Sequence, residues 1–187
     1  MGNLKRNLNQ ELIRSIRYND IDTFKVLVKL IDVNEPIKIT YYDDEMLFTP
    51  LQFISRLEHE RKDNLRYNGV QPKTDFNSDY NFVKILIENG ADLNLKEKGV
   101  APLIFFTLYN NIEVAKLLIE NGADLSTTDN NHMTPLLIAT SYKHKDLMNL
   151  LLYKGSNINH KNINGEDYRV MYNYNFHNML LPSCKLK

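Results

Sequence analysis

The chain has 187 residues, with 23 basic side chains against 23 acidic ones, five histidines, one cysteine and no tryptophan. A hydrophobic share of 43 % is enough to build a core, which excludes wholesale disorder. Zero formal net charge removes the broad pull on polyanions that non-specific nucleic-acid binders rely on, so no nucleic-acid partner is expected. Cys184 alone cannot staple the chain internally, which suits a reducing, cytoplasmic setting. No run approaches the roughly 20 apolar residues that span a bilayer, and Met1 to Glu11 holds no apolar stretch of the secretory type. Arg6 stands where a myristoylation signal on Gly2 has Ser or Thr, and the Lys185-Leu186-Lys187 end after Cys184 is too basic for prenylation. No membrane partner is expected.

In chain order, Leu8, Leu12, Ile13 and Ile16 form one apolar stripe at helical spacing, and Ile21 to Leu30 reads as a second helix ending in Asp32-Val33-Asn34. Residues 7–34 are a degenerate unit, with Gln10, Arg14 and Arg17 expected to shield the open end of whatever follows. Residues 35–48 separate Asn34 from Thr49, twice the length of the matching stretches further on, so Glu35 to Leu47 is expected to be an enlarged β-hairpin finger. Thr49-Pro50-Leu51 opens a helix, and an insertion from Glu58 to Ser78 precedes the next apolar run. Leu57 to Leu65 is charge-rich and is expected to prolong that helix, until the Asn68-Gly69 and Gln71-Pro72 turn signals end it.

From there the chain repeats itself. Phe82-Val83-Lys84-Ile85-Leu86-Ile87-Glu88-Asn89-Gly90-Ala91-Asp92-Leu93-Asn94 returns as Val114-Ala115-Lys116-Leu117-Leu118-Ile119-Glu120-Asn121-Gly122-Ala123-Asp124-Leu125-Ser126, and more loosely from Leu147 to Asn159. The closing glycines sit at 90, 122 and 155. Thr134-Pro135-Leu136 and Ala101-Pro102-Leu103 each stand 21 residues ahead of their glycine. Proline fits the first helical turn, where its missing N–H is not needed. Thr49 and Thr134 supply a capping hydroxyl that Ala101 lacks. Glycine supplies the left-handed conformation that ends the second helix. A last, drifted unit begins at Asn162-Ile163-Asn164-Gly165, with short helices expected near Tyr168 to Asn173 and Phe176 to Leu181.

The Thr-Pro-Leu triplets, the Leu-Leu-Ile-Glu-Asn-Gly-Ala-Asp blocks and the period together resemble the ankyrin repeat family. The resemblance implies an all-α fold: an α-solenoid of about five helix-turn-helix units with degenerate terminal caps and short β-hairpin fingers. The expected units are residues 7–34, 35–94, 95–126, 127–159 and 160–182 of a single domain, residues 1–187. Family members usually carry His directly after Thr-Pro-Leu, bonding between neighbouring units. Here that place holds Gln52, Ile104 and Leu137, so apolar packing is expected to replace the polar link.

No phosphate loop, Cys-x-x-Cys, His-Glu-x-x-His or nucleophile-elbow pattern is present, so no catalytic residue, cofactor or metal is assigned. Asp129 and His132 share one finger without a nucleophile beside them, and His144 and His177 sit at like positions in successive units. The resemblance implies a monomeric module that binds a protein partner through a concave groove and finger tips, acting as an inhibitor, immunity protein or effector. The residues at such positions are Tyr41, Tyr42 and Asp44 on the long finger; Glu97, Lys98, Asn130, Asn131, Met133 and Asn164 on the short ones; and Tyr109, Tyr142 and Tyr174 near the ends of first helices. A recurring Tyr reads equally as a packing ladder between units. Phe105, Phe106, Ile138 and Leu150 to Leu152 are assigned to the core. Self-association through the Tyr face, and an enzyme built on residues 58–78, are the rival functions.

Overall fold

The computed structural model describes residues 2–41, 44–57, 76–96 and 98–175. The chain divides into two compact units, Met1–Glu97 and Lys98–Lys187. Among the described residues nearly all regular structure is helical, with one small antiparallel sheet.

The first unit opens with α1 (Gly2–Arg17) and α2 (Ile21–Leu27), packed on each other. The apolar stripe anticipated on α1 is the buried one: Leu12 and Ile16 are fully enclosed, with Leu8 and Ile13 half-buried at its edge. The helix runs further toward the N-terminus than that stripe alone indicated. Asp20 caps α2 by accepting the Thr23 N–H at 3.0 Å. α2 is shorter than expected and stops at Leu27, because residues 28–30 tighten into turns, with Leu30 N–H donating to the Leu27 carbonyl.

β1 (Ile37–Tyr41) and β2 (Asp44–Phe48) form the enlarged hairpin expected between Asn34 and Thr49. The period-two pattern fixes its faces. Ile37 and Ile39 are buried along with Phe48, the cross-strand neighbour of Ile37, whereas Lys38 and its neighbour Leu47 face outward. Next come α3 (residues 50–57) and α4 (Phe76–Glu88), the latter packed on α2 through an edge-to-face contact of Phe24 and Phe82 at 4.8 Å. Residues 58–75 of the insertion, the expected helix Phe176 to Leu181 and Cys184 lie outside the described residues.

Gln52 corrects the expectation that its unit has lost its polar link. The Thr49 N–H donates to Gln52 Oε1 at 2.8 Å and the Gln52 N–H to Thr49 Oγ1 at 3.3 Å, a reciprocal cap at the start of α3. The same carboxamide then donates from Nε2 to the Leu95 carbonyl, 43 residues on, at 3.1 Å. Asn34 makes a second long-range tie, donating to the Gly90 carbonyl at 2.9 Å and accepting the Asp92 N–H at 2.7 Å.

The second unit contains α5 (Pro102–Leu108), α6 (Ile112–Glu120), α7 (Pro135–Ser141), α8 (Lys145–Tyr153) and α9 (Tyr168–Asn175). α5 pairs with α6 and α7 with α8; across the repeats α5 packs on α7, α7 on α9 and α6 on α8. Within this unit the two-helix modules therefore stack in sequence order, each burying its apolar side against the next. Ile104 and Leu137 are buried and replace a polar link with packing, as expected. Thr134 caps α7 through its hydroxyl, and Ala101 leaves α5 without a side-chain cap. Gly90, Gly122 and Gly155 all take φ between +82° and +94°. The core assignment holds for Phe106, Ile138 and Leu151, but Phe105, Leu150 and Leu152 are only half-buried and belong to the margin.

Candidate partner-binding surface

The residues assigned to binding in the second unit sit on two features, the turns that precede α5, α7 and α9 and the C-terminal ends of first helices. The turns before α7 and α9 are each locked by one side chain. The Asp129 carboxylate accepts the Asn131 and Met133 N–H groups, both at 2.8 Å, while the Asp129 N–H donates to the Met133 carbonyl at 3.1 Å. Thirty-three positions on, Asn162 repeats the arrangement: its Oδ1 accepts the Asn164 and Glu166 N–H groups at 3.0 and 2.9 Å, and its N–H donates to the Glu166 carbonyl at 3.0 Å. Such side-chain-to-backbone bonds are the local chemistry by which Asp and Asn fix turns. Asp129 therefore builds a turn, and among the described residues no imidazole bonds to its carboxylate; His132, at φ +58°, is the turn's left-handed residue.

The turns also touch one another. Ile163 N–H donates to the Asn131 carbonyl at 3.0 Å, and a Cβ added to Gly99 would meet Asn130 Oδ1 at 3.0 Å, so the Lys98 turn lies against the Asn130 turn. Lys98, Asn130, Asn131 and Asn164 are exposed on these tips. Met133 is half-buried, its sulfur 3.6 Å from Asn162 Nδ2, and so offers less contact area than its neighbours.

Tyr109 and Tyr142 occupy equivalent places, as the C-cap residues of α5 and α7. Tyr109 is half-buried, whereas Tyr142 is 58 % exposed. The Tyr142 ring stacks on His144 at 5.8 Å with the planes 22° apart, and His144 Nε2 lies 3.2 Å from the Leu108 carbonyl. A carbonyl only accepts, so Nε2 carries the proton and the imidazole is tied to the preceding repeat. Tyr142 thus rests on a ring that is itself anchored. Tyr174 is 76 % exposed and is the penultimate residue of α9. On the hairpin of the first unit, Tyr41 and Asp44 are cross-strand neighbours at the last described pair; Tyr42, and Glu97 at the end of that unit, lie outside the described residues, as does His177.

Sequence reasoning missed His144 as the support of Tyr142 and Asn162 as the counterpart of Asp129 in the next repeat. The 33-residue spacing of Asp129 and Asn162 was a usable signal; nothing in the sequence marked the carbonyl that holds His144.

The model of the family described as ankyrin repeats, in three copies, matches residues 74–162. That stretch is an array of ankyrin repeats. Ankyrin repeats are in general modules of protein–protein interaction, and as a rule they bind without catalysing. No curated protein gives a significant match to the chain. The α1–α2 layer, the long hairpin and α3 precede the matched stretch. Among the described residues no helix is long and apolar enough to cross a membrane.

Proposed function

We propose that this chain is a binding protein without catalytic activity, and that its ankyrin repeats grip a protein partner through the turn tips and the exposed tyrosines of the second unit. The observation that carries this reading is Tyr142: a large aromatic, 58 % exposed, held in place by a tethered imidazole. A pre-positioned Tyr loses little side-chain freedom on binding, which is why such residues dominate interface energetics. Exposed amides on Asn130, Asn131 and Asn164 supply adaptable hydrogen bonds around it. Lys98, Tyr109 and Tyr174 extend the contact, and Met133 adds a smaller share. Tyr41, Tyr42, Asp44 and Glu97 are assigned the same role on the first unit. A role as inhibitor, immunity protein or effector would follow from capture of a partner's working surface.

The test compares wild type with a Tyr142→Ala/Tyr174→Ala variant in recovery of partners from the native host, each recovered partner then being titrated in pure form. Binding that falls by at least about tenfold in a variant of unchanged helicity supports the reading. Equal recovery and equal affinity would remove the tyrosine surface from consideration.

A further inference from the structure

We propose that the outward side of the α1–α2 layer is a self-association surface that accepts a second copy of this chain. Two stripes define it. On α1, Glu11, Arg14 and Tyr18 stand at i, i+3 and i+7 and share one side of the helix and its final turn. Thr23, Val26 and Leu30 repeat that spacing along α2 and the turn after it. Glu11, Arg14, Tyr18 and Thr23 line a cleft of about 260 Å³ between the helices. α2's other side carries Phe24, already spent on Phe82 of α4.

One face of the layer is thus used and the other is open. The open face was expected to be a polar cap built from Gln10, Arg14 and Arg17. Arg17 does not serve it: its guanidinium lies 5.6 Å over the Phe53 ring of α3. In its place the surface shows Tyr18 at 77 % exposure, with Val26 and Leu30 at 61 % each. Asp22 and Lys25, an ion pair at 3.7 Å, and Lys29 are exposed alongside in sequence, so the apolar side chains sit among charged ones.

The chemistry of the face selects its occupant. A two-fold contact sets a patch against itself, so the patch must be self-complementary. Glu11 and Arg14 supply both signs of charge, 3.7 Å apart, and the Arg14 guanidinium lies 6.0 Å from the Tyr18 ring centre. Two copies brought together about a two-fold axis can exchange these partners, Arg14 of one with Glu11 of the other, around a centre made by Val26 and Leu30. The chain's zero formal charge sets up no long-range repulsion between copies.

Sedimentation velocity of the full chain at rising concentration tests this. The wild type is expected to pass from monomer to dimer. Val26→Lys/Leu30→Lys should lower the association constant by at least about tenfold, with unchanged far-ultraviolet circular dichroism. Arg14→Glu alone should also weaken association, and Arg14→Glu with Glu11→Arg should restore it, which decides the matter even if the lysine variant unfolds. A wild type that stays monomeric at every concentration overturns the proposal. So does a dimer that Arg14→Glu leaves untouched.

Discussion

Ser156 holds the place that Ala91 and Ala123 take in the two preceding repeats, directly after the closing glycine. Its hydroxyl is buried and finds no hydrogen-bond partner among the described residues. A buried hydroxyl left unpaired costs about 1–3 kcal/mol. Ser156→Ala is therefore expected to raise stability by about 1 kcal/mol, read as a higher thermal midpoint. Asp20 is a polar residue with the opposite fortune. The Thr23 hydroxyl and then the Thr23 N–H donate to its carboxylate and hold its pKa below the ordinary 3.8. A lowered folded-state value means that the carboxylate stabilises the fold above its unfolded pKa and loses that contribution as pH falls through 3.8 and below. The acid limb of thermal midpoint against pH should accordingly be flatter in Asp20→Asn, where a neutral amide keeps an acceptor at the cap.

At the scale of elements, the caps were the most legible feature of the sequence. Thr134 precedes Pro135 and bonds the Leu137 N–H, at 3.4 Å. Thr134→Ala should cost about 1 kcal/mol, measured by denaturant titration, and would make α7 start as α5 does at Ala101. Thr49, the helix-ending glycines and the long hairpin were legible for the same reason: each rests on local backbone chemistry that a few adjacent residues dictate. Depth of burial was not legible. Phe105, Leu150 and Leu152 carry the apolar pattern of core residues, yet only the neighbouring layer decides which side of the stripe is covered, and that information is distant in sequence. The double duty of Gln52 was hidden similarly, since its partner at Leu95 lies 43 residues away. In the proposed binding surface, Tyr142 was assigned from repeat spacing, and the tethered His144 beside it emerged only once α7 and the Leu108 carbonyl were placed.

Within each of the two units, packed layers exchange energy with their neighbours more than with distant parts. Phe24 is fully buried in the first unit. Phe24→Ala should cost about 3–5 kcal/mol. Hydrogen exchange should report that loss in α1, α2 and α4, with protection in α7 and α8 little changed. An even loss across all helices would mean that the units unfold as one body.

The ties that Asn34 and Gln52 make across residues 58–75 have a consequence for chain continuity. Phe24 on Phe82, Asn34 on Gly90 and Asp92, and Gln52 on Leu95 all join segments lying on either side of that stretch. A cut there turns an intramolecular contact into an association of two pieces, so these contacts alone must then supply the binding free energy. Cutting the backbone anywhere between Leu57 and Phe76 should leave two fragments that copurify, and separately made halves should complement each other when mixed.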